Sequence, residues 1–210
     1  MNAHSKKSEK KPTFIETYRR QHIIESASRV IAELGYVNTS LADIAKEAEI
    51  SKGVISYYFK GKDDLIEMLM ARMMDDMHEF IKVRVNKRST VLEKLRTYVT
   101  ASLDFVYENS VKFKVISDLS VNAFWKSHDH FFGQRTYQRC RNFIEKILSE
   151  GQENGEFGQF NVLATAAVIQ GAIDGLALQW IVEPDNVDLD ECKQKLMEIL
   201  DRYIESEPCQ

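Results

Sequence analysis

Cysteine is scarce and scattered in this chain. Cys140, Cys192 and Cys209 are the only ones, far apart, odd in number and without a CxxC pair. That speaks against a disulfide framework and fits a reducing compartment. Three prolines and nine glycines in 210 residues, with few long β-branched runs, predict an all-α protein large enough for a sizeable core. No apolar run approaches the roughly 18 residues that a membrane span needs, so no membrane partner is expected. The charged start MNAHSKKSEKKP leads into no apolar signal region, so a cytoplasmic location is expected. Also missing are a phosphate-binding glycine loop, a nucleophile elbow and a dinucleotide fingerprint. His128 and His130 stand two apart, with no HExxH and no cysteine pair near them, a spacing that puts two side chains on different faces of a helix. The sequence thus offers no catalytic residue, no metal site and no cofactor.

What is present is unevenly charged. The net charge is −4, yet residues 1–62 hold 11 Lys and Arg against 7 Asp and Glu, leaving 17 against 25 for the remainder. A basic head on an acidic body fits a DNA-binding end joined to something that avoids DNA, and also fits ordinary solvated surfaces.

The stretch Ser40 to Phe59, SLADIAKEAEISKGVISYYF, organises the rest. Ser40 and Asp43 form a capping-box pattern, and Leu41, Ile44, Ala45 and Ala48 fall on one helical face. Ser51 is placed to cap a second short helix, and Gly53 leaves room for another backbone near its start. Val54, Ile55 and Phe59 can face inward. Ser51, Lys52, Gly53, Ser56, Tyr57 and Tyr58 then supply hydroxyls, a cation and aromatic edges outward, a surface suited to a major groove. Lys62, at the start of the following helix, can meet a phosphate beside helix-terminal amides.

The ordered run Gly35-Tyr36, Thr39, Ile44-Ala45, Ile50-Ser51-Lys52-Gly53, Tyr58-Phe59 and Lys62-Asp63-Asp64-Leu65 resembles the DNA-binding domain of the TetR family of transcriptional regulators, over about Arg19 to Ala71. Where that family usually carries Leu-Tyr this chain has Ile55-Ser56, so the operator sequence does not carry over. The resemblance implies double-stranded operator DNA as partner, contacted by Thr39, Ser40, Ser51, Lys52, Gly53, Ser56, Tyr57, Tyr58 and Lys62. It also implies a homodimer, whose two heads match a pseudo-palindrome with half-sites about 34 Å or a multiple apart, and an unidentified small-molecule effector in a second domain. The expected divisions are a flexible basic arm (1–16), a helix-turn-helix domain (17–62), a connecting helix (63–85) and a ligand-binding and dimerisation domain (86–210).

The connecting helix is rich in methionine, with Met68, Met70, Met73, Met74 and Met77, which suits soft core packing. In the body, helices are predicted over about 90–108, 111–119, 134–153, 162–182 and 189–204. Tyr98, Phe105, Phe113, Phe124, Trp125, Phe131, Phe132 and Tyr137 are either an ordinary aromatic core or, as the resemblance implies, the lining of a pocket. With no buried basic cluster evident, an apolar or cationic-amphiphilic effector is expected. Gln170 and Asp174 stand out in an otherwise apolar helix and require partners, either a neighbouring helix or a cationic ligand. The small residues Ala167, Gly171 and Gly175, with Leu189, Cys192, Leu196, Ile199 and Tyr203 at spacings of three and four, predict a four-helix dimer interface. A helical enzyme, or a dimerisation module without specific DNA binding, is the alternative reading.

Overall fold

The computed structural model describes residues 13–122 and 131–204, with only the backbone course given for 131–137. Among these residues the chain is all-α, with nine helices and no strand. α1 (Phe14–Leu34), α2 (Leu41–Glu47) and α3 (Lys52–Tyr58) make the head, and α4 (Lys62–Val85) runs from it into the body. α5 (Val91–Glu108), α6 (Ser110–Asn122), α7 (Phe131–Glu153), α8 (Val162–Val182) and α9 (Leu189–Ile204) follow.

Local chemistry sets the helix starts. Ser40 and Asp43 form the anticipated capping box at α2, and Thr90 with Glu93 forms another at α5. A third, Thr13 with Glu16, starts α1 at Phe14; the Thr13 amide donates to Glu16 Oε2 at 2.7 Å. Residues 13–16 are therefore helix and cap, not part of an arm; the expected arm otherwise lies outside the described residues. These reciprocal bonds hold the carboxyls of Glu16, Asp43 and Glu93 below the usual range. At the other end of α1, Gly35 closes the helix at φ 75°, its amide returning to the Ile31 carbonyl. A Cβ is disfavoured at that backbone angle.

Two apolar cores form, and α6 belongs to both. In the head, Ile23, Ala27 and Ile31 of α1 meet Ile44, Ile55, Phe59, Leu65, Leu69 and Met70, and the cluster is completed by Val115, Ile116 and Leu119 of α6. In the body, Leu95, Val99 and Leu103 of α5 pack with Ile144 and Leu148 of α7, Ile169 and Ile173 of α8, and Leu200 and Ile204 of α9. Phe113 of α6 joins that second cluster. The head's core thus takes one wall from a helix that lies beyond residue 86 in sequence.

α8 is apolar nearly all round in sequence, apart from Gln170 and Asp174, and only half of it is covered. Ile169, Ile173 and Ala177 face the body core, while Ala164, Ala167, Val168, Gly171, Leu178 and Val182 lie exposed along one stripe. By length and composition alone α8 is apolar enough to cross a membrane, with mean hydropathy 1.4 over its best window, a third of which is buried in the fold. This corrects the expectation of no such run, because single Thr, Gln and Asp residues interrupt α8 yet leave its average high. In α9, Leu189 is buried in the body core with Leu200 and Ile204, and Leu196 packs partly against it. The predicted seam is therefore split: Leu189 and Leu196 face into the chain, while Ile199 and Tyr203 face out.

Candidate nucleic-acid interface and buried cavity

α2 and α3 are joined by a tight turn. The Glu49 amide returns to the Lys46 carbonyl and the Ile50 amide to the Ala45 carbonyl, at 3.1 and 3.0 Å, the paired bonds of a Schellman closure. Glu49 occupies the left-handed position, at φ 53°, where glycine is the usual residue and any other stores about 1–2 kcal/mol. The turn sets α3 with Ile55 and Phe59 buried and Lys52, Gly53, Ser56 and Tyr57 outward, Tyr57 being 74% exposed. Tyr58 is half-buried and meets Tyr57 edge to face at 4.9 Å. Val54 is half-buried rather than fully inward. Ser51 occupies the N-cap position without making a side-chain capping bond, so its expected capping role is corrected. A Cβ on Gly53 would meet only Ser51 Oγ, at 3.7 Å, so the room it leaves is not taken by another backbone of this chain.

Two expected contact residues are occupied elsewhere. Thr39 is 3% exposed and its hydroxyl donates to the Gly35 carbonyl at 2.8 Å, bracing the α1–α2 turn. Lys62 Nζ lies 2.7 Å from the Tyr36 carbonyl oxygen and 4.0 Å from the centre of the Tyr36 ring. Its ammonium braces the head instead of projecting from it. Ser40 stays exposed but spends its hydroxyl on Asp43.

A cavity of about 130 Å³ opens among α4, α5, α6, α7 and α8. Met74, Met77 and Ile81 line it from α4, Tyr98, Ser102 and Val106 from α5, and Phe113, Ile116, Ser117, Ser120 and Val121 from α6. Cys140 contributes from α7, and Gln170, Ile173, Asp174, Ala177 and Leu178 from α8. Of the expected lining, Tyr98, Phe113, Gln170 and Asp174 are there. Phe105 is not: it lies two turns further along α5 than Tyr98, on nearly the same face, and is buried there against Phe80 of α4, ring centres 5.4 Å apart. Phe124 and Trp125, and the side chains of Phe131, Phe132 and Tyr137, lie outside the described residues. The serines and methionines of the wall were missed as ligand groups; the methionine run of α4 was their one visible signal.

The polar groups of the cavity form a chain. The Tyr98 hydroxyl donates to Gln170 Oε1 at 3.1 Å, and Gln170 Nε2 donates to Asp174 Oδ1 at 2.8 Å. The Tyr98 ring stacks on Phe143, which meets His78 edge-on. Burial raises the Asp174 carboxyl above the usual range, opposed by the bond from Gln170. Burial likewise lifts the Cys140 thiol to about 11, so it is an inert wall residue at neutral pH. Among the described residues the lining includes one carboxylate and no Lys or Arg. Among the described residues no group of three His, Cys, Asp or Glu could hold a metal ion; His128 and His130 lie outside them.

Comparison with known proteins adds to this geometry. Residues 23–69 match the model for bacterial regulatory proteins of the tetR family, and residues 91–206 match that for the C-terminal part of BetI-type transcriptional repressors. The chain is 24% identical over 196 residues to the fatty acid metabolism regulator protein of Bacillus subtilis (strain 168), covering 91% of this chain and 95% of that one. It is 30% identical over 149 residues to the HTH-type transcriptional regulator BetI of Serratia proteamaculans (strain 568), covering 66% and 73%. Its fold is similar to that of the regulator FadR from Bacillus subtilis in complex with stearoyl-CoA, at TM-score 0.76 and 24% identity over 86% of this chain and 96% of that one. It is also similar to AibR in complex with isovaleryl coenzyme A and operator DNA, at TM-score 0.68 and 20% identity, covering 86% and 97%.

Proposed function

The chain belongs to the TetR family of bacterial regulatory proteins, with a BetI-type C-terminal domain, and on that premise we propose that it is a homodimeric repressor released from a pseudo-palindromic operator by a small apolar or cationic-amphiphilic effector. As a member of that family it is a transcriptional regulator rather than an enzyme, acting on DNA and so expected in the cytoplasm. The outward face of α3 supports a reading role: Lys52, Ser56 and Tyr57 are presented while Ile55 and Phe59 anchor the helix behind them. Ser51, Gly53 and Tyr58 flank that surface, with the exposed Ser40 at the neighbouring helix start. The exposed stripe of α8, continued by Ile199 and Tyr203 of α9, supports the dimer. Ala167 and Gly171 allow close helix approach there, with Gly175 and Cys192 half-buried at its margin.

The single observation that carries the effector class is Asp174, a partly desolvated carboxylate in an apolar wall with no cation among the described lining residues. A hydrophobic ammonium group would supply the missing charge. Acyl-coenzyme A is the second reading, favoured by the bound complexes of the two similar structures; its phosphates find no basic partner among the described residues of this cavity. A hundredfold preference of the effector for the released state corresponds to about 2.7 kcal/mol of coupling.

The test is binding to the DNA flanking the gene, followed by fluorescence anisotropy over a salt series with an unrelated duplex as control. An octylammonium salt, octanol and octanoyl-CoA are then added in turn. Salt-dependent binding to one pseudo-palindrome, reversed by octylammonium and less so in Asp174→Asn, is the expected result. Reversal by octanoyl-CoA alone would move the assignment to the second reading, and equal weak binding to both duplexes would count against this region as the operator.

A further inference from the structure

One residue of the head is held from two sides. The Tyr36 amide donates to Asp118 Oδ2 at 2.6 Å, a bond that joins the α1–α2 turn to α6. Asp118 is itself oriented by Asn122, whose Nδ2 donates to Oδ1 at 2.6 Å. On its other side Tyr36 offers its carbonyl to Lys62 Nζ, at the start of α4. The turn geometry makes the first bond accessible: Gly35 at φ 75° swings the Tyr36 amide toward α6, and even a Cβ there would sit 3.7 Å from Asp118 Oδ2.

The same helix forms a wall of the cavity. Ile116, Ser117 and Ser120 line it, and Ile116 also belongs to the head's core. α4 offers a second route from cavity to head through Met74 and Met77, yet methionine contacts repack easily and absorb displacement. A carboxylate on a backbone amide is a directional, charge-assisted bond, whereas the apolar contacts of Val115 and Leu119 permit sliding.

We infer that Asp118 is a positioning residue that couples the cavity to the DNA-reading helix: when an occupant shifts α6, the Asp118 carboxylate carries the shift to the Tyr36 peptide, and through it to the start of α2 at Ser40. This coupling rests on reading the cavity as the effector site and α3 as the helix that meets DNA.

The experiment is a double-mutant cycle that needs no identified ligand. Ala177→Phe fills the cavity from α8, opposite α6, in both the natural chain and the Asp118→Ala variant, and operator affinity is measured by anisotropy in all four proteins. Filling should weaken operator binding about tenfold when Asp118 is present and less than about twofold when it is absent. Asp118→Asn, which keeps an acceptor for the Tyr36 amide, should restore most of the response, as a merely structural change in stability would not. Faster hydrogen exchange over residues 35–39 in Asp118→Ala is the accompanying sign that the bond is lost. Equal weakening with and without Asp118 would overturn the coupling role and leave the cavity reading standing. No weakening in either would overturn the cavity reading and the coupling with it. Ser102→Phe, which fills the same space from α5, repeats the cycle if Ala177→Phe does not fold.

Discussion

Gln170 Nε2 donates to Asp174 Oδ1 across 2.8 Å, one helical turn apart on α8. The amide thereby orients a carboxylate into a wall that is otherwise mostly apolar. That single bond offsets only part of the desolvation, and the carboxyl remains raised above its usual range.

A raised carboxyl binds protons more readily in the folded state than in the unfolded one, so stability falls as pH rises through the interval between the two values. The contribution is fully favourable below the unfolded value and is lost above the folded one. Asp174→Asn, which keeps an acceptor for Gln170, should therefore melt above the natural chain at pH 8. The two melting temperatures should converge on acidification toward pH 4, as followed by circular dichroism. A constant difference across that range would show that Asp174 is already satisfied when ionised.

Lys52 stands at the exposed start of α3. If it meets a phosphate, Lys52→Ala should weaken binding to operator and unrelated DNA alike, and reduce the slope of log affinity against log salt by about one. The dimer should be untouched by sedimentation. Lys62→Ala should behave differently, because its ammonium braces Tyr36: the expected effect is a lower melting temperature of the head.

Val168 and Ile199 are 69% and 64% exposed within one chain. Glutamate at both should leave the helical circular dichroism intact and convert a dimer to a monomer in sedimentation. Losing the second head should then cost about 100-fold in operator affinity through lost avidity. Leu189→Glu should instead unfold the body, since Leu189 is buried in its core.

Gly151 lies inside α7 with the Phe157 ring pressed against it. An added Cβ would sit 2.1 Å from Phe157 Cδ2, and that ring is buried. Gly151→Ala should cost about 1–3 kcal/mol from overpacking, lowering Tm by about 2–4 °C for each kcal/mol in a domain of this size. A second change, Phe157→Leu, should recover part of the loss.

Helix positions were largely readable because their causes are local. Ser40 and Asp43 cap α2 as their spacing implied, and Gly35 closes α1. The Thr13–Glu16 box has the same spacing and starts α1 at Phe14, three residues before the expected boundary of the helix-turn-helix domain at 17. The outward placing of Lys52, Ser56 and Tyr57 followed from the apolar spacing of Ile55 and Phe59. Lys62 could not be placed that way: its side chain is long, and its partner Tyr36 lies 26 positions earlier.

By itself the sequence determined an all-helical chain, the order and extent of most helices, and the amphipathic head, since caps and periodicity act over a few residues. Tertiary structure alone decided which apolar groups became wall, core or outer face. Phe105 and Tyr98 share a helix, yet only Tyr98 reaches the cavity. Leu189 and Ile199 share a seam, yet only Leu189 is buried. In each case the outcome depends on the rotation and crossing of helices distant in sequence. The same is true of α6, whose two apolar faces join head to body and bring Asp118 to Tyr36 across 82 positions.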